Sequence, residues 1–134
     1  MSMSYLLKSV RTAAILTASY VAGTTLFNDM TSYPHGLIRN NLTLLVKFTK
    51  GSLTSAEIKI EGSHDGVTFY NETSSSIDST GATESITPLI KQITDAGNHL
   101  IYVPWKTPYI RISAKGTGTV TGSSLTIDAI LSVA

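Results

Sequence analysis

The run AEIKIEG, residues 56–62, alternates without a break. Ile58 and Ile60 fall on one side, and Glu57, Lys59 and Glu61 on the other. Apolar and charged residues at a period of two can be separated only by an extended strand with one face buried and one face wet. The same pattern returns in NLTLLVKFTK (41–50), where Leu42, Leu44, Val46 and Phe48 share a face and only Leu45 breaks the order. It returns again in HLIYVPW (99–105), YIRISAK (109–115) and SLTIDAILSVA (124–134). In the last of these, Leu125, Ile127, Ala129, Leu131 and Val133 make one stripe. A weaker version in TAAILTASYVA (12–22) predicts a first strand with Ala14, Leu16 and Ala18 on one face.

Turn residues separate these runs. TKGS (49–52), HDGV (64–67), DAGN (95–98) and KGTGT (115–119) each place a glycine where a tight turn needs positive φ. Pro104 and Pro108 flank Trp105 and predict a bend at a strand end or sheet edge. The polar segment 73–84, TSSSIDSTGATE, is expected to be an exposed loop. In 86–95, ITPLIKQITD, the apolar spacing fits a helical turn, whereas Pro88 and the β-branched residues favour a strand, so both remain open. The expected fold is all-β, an antiparallel β-sandwich or jelly roll of about seven or eight strands. It is preceded by an amino-terminal arm (1–11), with a single sandwich domain over 12–134.

Composition narrows the chemistry. The 134 residues contain no cysteine, which excludes disulfides, thiolate metal sites and cysteine nucleophiles. Charged residues make up only 14%, against about a quarter in ordinary domains. The 17 serines and 19 threonines fill the deficit, giving a surface of hydroxyls suited to packing against neighbours. The ten Lys and Arg are scattered, which argues against a nucleic-acid surface. The apolar stretch after Lys8 and Arg11 is short and broken by Thr17, Ser19 and Tyr20, so neither a secretory leader nor a membrane anchor is expected.

Ser63, His64 and Asp65 are the residue types of a hydrolase triad, but adjacency separates them. Neighbouring side chains on extended backbone point to opposite faces, whereas a working triad needs the histidine between its partners. Asp65-Gly66 is instead a hairpin turn, and Ser63 is placed to bond its backbone. The stretch is then expected to keep Glu61 on the solvent face and to return Phe69 or Tyr70 to the core. No metal is expected: His35, His64 and His99 are isolated, and Asp65, Glu72 and Asp78 lack the spacing of a calcium loop. GTGTVTG (116–122) has Thr121 where a dinucleotide fingerprint needs glycine, so it reads as a turn, and no cofactor is expected. Trp105 and Phe69 are expected to fill the ends of the core. The competing reading makes Tyr70, Trp105 and Tyr109 a stacking platform for sugar rings.

Two stretches together, LVKFTKGSLTSAEIKIEGSHDGVTFYNET and VPWKTPYIRISAKGTGTVTGSSLTIDAILSVA, resemble the small β-sandwich virion proteins of tailed bacteriophages. The likeness is to capsid decoration (cement) proteins and related head or tail accessory proteins, over about residues 42–133. It implies a non-enzymatic, oligomeric and often trimeric subunit that binds major capsid or other virion proteins and stabilises the head by bridging capsomers. Assembly would take place in the host cytoplasm. Tyr5, Leu6 and Leu7 of the arm, and the loop 73–84, are then expected at interfaces with neighbouring protein. The Ser-x-Asp-Gly hairpin and the Tyr-Ile-Arg strand are also similar to discoidin-type domains, which implies the alternative of a carbohydrate-binding module.

Overall fold

The computed structural model describes residues 5–27 and 41–132. Six strands of eight or more residues carry it: β1 (Tyr5–Ala14), β4 (Asn41–Thr49), β5 (Leu53–Ser63), β10 (Gly97–Pro104), β11 (Tyr109–Gly118) and β12 (Ser124–Ser132). Shorter pieces complete the sheets: β2 (Val21–Ala22), β3 (Leu26–Phe27), β6 (Tyr70–Asn71) and β9 (Ile90–Ile93). β7 (Thr73–Ile77) and β8 (Glu84–Pro88) pair only with each other.

One sheet runs β1-β12-β4-β10. The other is centred on β11 and β5, with β2 and β3 along one side and β6 and β9 along the other. Every pairing is antiparallel and the pairs are nested: β1 with β12, β2 and β3 with β11, β4 with β10, and β5 with β6 and β9. A long hairpin folded across two sheets gives this order, which is the jelly-roll form of the sandwich.

The alternation read in the sequence is the reason the sheets stack. Leu42, Leu44, Val46 and Phe48 of β4 and Leu125, Ile127, Ala129 and Leu131 of β12 face Ala56, Ile58 and Ile60 of β5 and Ile110, Ile112 and Ala114 of β11 in one buried cluster. Each fully buried aliphatic side chain contributes roughly 1.5–3 kcal/mol relative to exposure. Trp105 closes one end, 6% exposed, with its indole N–H donating to the Thr107 carbonyl. The expectation for Trp105 as a core residue holds.

The first strand begins at Tyr5 and stops at Ala14, well ahead of the expected 12–22. From Tyr5 onward the expected arm is therefore paired in the sheet, with Leu6 opposite Leu131 and Leu7 opposite Ile130. Lys8 and Arg11 hide the alternation of 5–11, and such charges are tolerated because β1 is an edge strand. Arg11 sits at a register shift and donates to the carbonyls of Ala14, Ile15 and Leu125, closing the bulge. Of the predicted face Ala14, Leu16 and Ala18, only Leu16 is buried.

The expected loop 73–84 is largely the hairpin β7–β8, turned at Asp78, whose carboxylate accepts from Thr80 and Ala82. In 86–95 the strand reading holds and the helical one does not. The turn expected at 115–119 lies further on, because β11 continues to Gly118 and the chain reverses before Ser124. Gly116 is inside the strand, where a Cβ would come within 2.7 Å of Leu53 Cδ2. His35 and Val133 lie outside the described residues, as do Met1–Ser4 and the side chain of Tyr5.

Candidate functional site

The Ser63-His64-Asp65 run forms a turn. The Ser63 hydroxyl, buried, donates directly to Asp65 Oδ1 at 2.9 Å and accepts from the amides of Asp65 and Gly66. Asp65 Oδ1 also accepts from the amides of Val67 (2.8 Å) and Thr68 (2.9 Å). Those amide bonds, reinforced by Ser63, hold the Asp65 carboxyl down at about 2. Gly66 has φ of 78°, a conformation that suits glycine. The turn spans 64–69 between β5 and β6, wider than the two-residue hairpin expected from Asp65-Gly66. His64 is exposed and does not stand between serine and aspartate.

Two further expectations for this stretch are corrected. Glu61 points to the outer face of its sheet as predicted, yet it is only 7% exposed. Arg111, directly opposite on β11, covers it through contacts of 2.9 and 3.3 Å, with Lys59 at 3.8 Å. Phe69 does not enter the core; its ring lies 4.1 Å from the Arg111 guanidinium. Tyr70 is 65% exposed.

Tyr20 covers the rest of that face. Its ring lies 4.8 Å from Lys59 Nζ and 5.0 Å from Lys115 Nζ, and its hydroxyl donates to Glu57. Burial, and then the Glu57 carboxylate, push its pKa up. Lys115 also pairs with Glu57 at 3.5 Å. The outer face of the β11–β5 sheet is thus closed by the protein's own aromatics over a charge ladder.

The outer face of the β1-β12-β4-β10 sheet is the opposite case. The cross-strand row Leu7, Ile130, Thr43 and Tyr102 lies beside the row Ser9, Asp128, Leu45 and Leu100. Leu7, Leu100 and Tyr102 are exposed there. Beyond the other sheet stands β7–β8, all ten of its residues exposed, Ile77 and Ile86 among them. The Leu89 amide donates to the Glu72 carbonyl, so the hairpin leaves the edge strand at a pinch between β6 and β9.

The expected aromatic platform is dispersed. Trp105 is in the core, and Tyr109 stacks on Phe27 with centroids 4.6 Å apart while supporting Gly66. Tyr70 alone of the three lines a cleft of about 380 Å³, with Ile60 and Ile110 below and His64, Glu72 and Lys106 around it. Sequence reasoning missed this cleft because its walls come from β5, β6 and the 104–107 bend, which only the fold brings together.

Among the described residues, no three His, Asp or Glu side chains converge on a metal position. Asp65 and Asp78 each cap their own turn, and His99 Nε2 donates to the Asp95 carbonyl. Among the described residues, no helix is long and apolar enough to cross a membrane. The chain matches no family model and no curated protein.

Proposed function

We propose that this chain is a structural component of a bacteriophage virion, most specifically a capsid decoration (cement) protein that associates with itself and with the major capsid protein and bridges capsomers. The observation that carries the reading is the β7–β8 hairpin. An isolated two-stranded hairpin is marginally stable in water, and this one projects from the sandwich without burying a residue. A rigid jelly roll that presents a hydroxyl-rich hairpin and an open apolar sheet face has the parts of an assembly subunit, and jelly rolls recur in viral capsids. The resemblance noted over residues 42–133 supplies the viral setting.

Co-sedimentation tests it. The purified chain, added to phage heads that lack it, is expected to pellet with the particles and to raise their resistance to heat. A variant in which a short turn replaces 73–88 is expected to stay in the supernatant while folding normally. Failure of the intact chain to bind particles overturns the reading.

A second reading, a carbohydrate-binding module on a tail or secreted protein, is favoured by the cleft at Tyr70, where an exposed ring adjoins polar groups. Its test is loss of glycan-array binding in Tyr70→Ala, with Trp105 left intact because the tryptophan serves the core.

A further inference from the structure

Edge strands present unpaired N–H and C=O groups, and natural sheets blunt them with charge, bulges or brevity. The edges of this molecule are blunted unequally. β1 carries Lys8 and Arg11 and two register shifts. Along the other sheet, β2, β3 and β6 are two residues long, and β9 is four residues with Lys91. β10 is neither short, bulged nor charged, and its one proline, Pro104, stands at its last position.

Its eight residues pair with β4 in unbroken register, Gly97 opposite Phe48 through Pro104 opposite Asn41. It contains no Asp, Glu, Lys or Arg, and its outward side chains Leu100 and Tyr102 are 58% and 73% exposed. Among the described residues, no strand pairs with its far side.

We propose that β10 pairs edge to edge with β10 of a second copy of this chain, antiparallel across a two-fold axis, joining two four-stranded sheets into one of eight strands. The occupant follows from the pattern of the strand. An antiparallel two-fold centred on Ile101 sets Leu100 of one copy opposite Tyr102 of the other, twice over. Aromatic and aliphatic side chains directly across an antiparallel pair are favourable neighbours. The same axis sets His99 opposite Val103, so no like charges meet. A self-complementary strand that sets no like charges opposite each other suits an isologous contact, with Lys91 and Asp95 bordering it beside Leu100, and the open backbone groups specify a strand as the partner. The contact also continues the exposed apolar face, since Leu45 lies beside Leu100 on β4. The inference does not rest on the virion reading, because the same edge would pair copies in any setting.

Sedimentation equilibrium tests it, with amide hydrogen exchange on β10. The wild-type chain is expected at twice 14.3 kDa, with β10 amides protected in a concentration-dependent way. The double variant Leu100→Lys, Tyr102→Lys places lysines opposite lysines across the axis. Both positions are exposed, so its circular dichroism should match wild type while its mass falls to one chain and the added protection disappears. A wild-type chain that remains monomeric to several hundred micromolar overturns the proposal. So does an association whose mass is unchanged in the folded double variant. Should that variant misfold, Tyr102→Glu alone replaces it with the same two readings.

Discussion

Ser63 and Asp65, separated in sequence only by His64, are hydrogen-bonded to each other at 2.9 Å, so the residue types of a catalytic triad here build a turn. The serine hydroxyl and the carboxylate organise four backbone amides between them, those of residues 65–68. What reads as chemistry in one dimension is turn capping in three.

The Asp65 carboxyl should titrate at about 2, below its ordinary 3.8. Because the folded pKa is depressed, the contribution to stability is present above the unfolded value near 4 and is lost as pH falls through about 2. Carboxyl-detected NMR titration measures the pKa directly. In Asp65→Asn this acid-dependent part of the stability profile should be absent, while stability at pH 7 falls.

The Glu61–Arg111 pair is asymmetric in exposure, with side chains 9% and 33% exposed. Arg111→Ala leaves a nearly buried carboxylate with only Lys59, at 3.8 Å, to answer it. Because Arg111 is 33% exposed and its removal opens Glu61 to water, the expected loss is about 1–2 kcal/mol in urea unfolding. The reverse change, Glu61→Gln, keeps hydrogen-bonding capacity and should cost less, since Arg111 reaches solvent.

Replacing 73–88 by a short turn should leave the midpoint of thermal unfolding close to wild type. No residue of β7 or β8 is buried, so little apolar area is lost. A fall of more than about 5 °C, the shift expected from about 1 kcal/mol in a domain of this size, would show that the hairpin packs on the sandwich.

Gly116→Val should destabilise by about 1–3 kcal/mol, as overpacked cores do. Its branched side chain would meet Leu53 and, at 3.2 Å, Leu16 Cβ, both on buried residues. Leu44→Ala, which empties a fully buried site, should cost about 2–5 kcal/mol. Chemical denaturation of both variants checks the values.

The strands whose inward residues are long and aliphatic were legible. In β4, β5, β11 and β12 the period of two is the face that packs, so pattern and burial coincide. β1 was misplaced because Lys8 and Arg11 interrupt its pattern, and only pairing with β12 makes 5–14 a strand. The serine-rich β7 has no apolar alternation, and its partner β8, through backbone bonds, is what extends it. Hydrophobicity places Phe69 or Tyr70 in the core, but the ring of Phe69 lies over Arg111 and Tyr70 is exposed.

By itself the sequence determined that this chain is an antiparallel sandwich, because alternating side chains have one way to separate from water. Tertiary structure decided which sheet face is closed and which is open, and which of the described strands lie at sheet edges. Those properties depend on which strands become neighbours. The Glu61–Arg111 contact, the cleft at Tyr70 and the edge position of β10 all come from segments that nested pairing brings together from far apart in the chain.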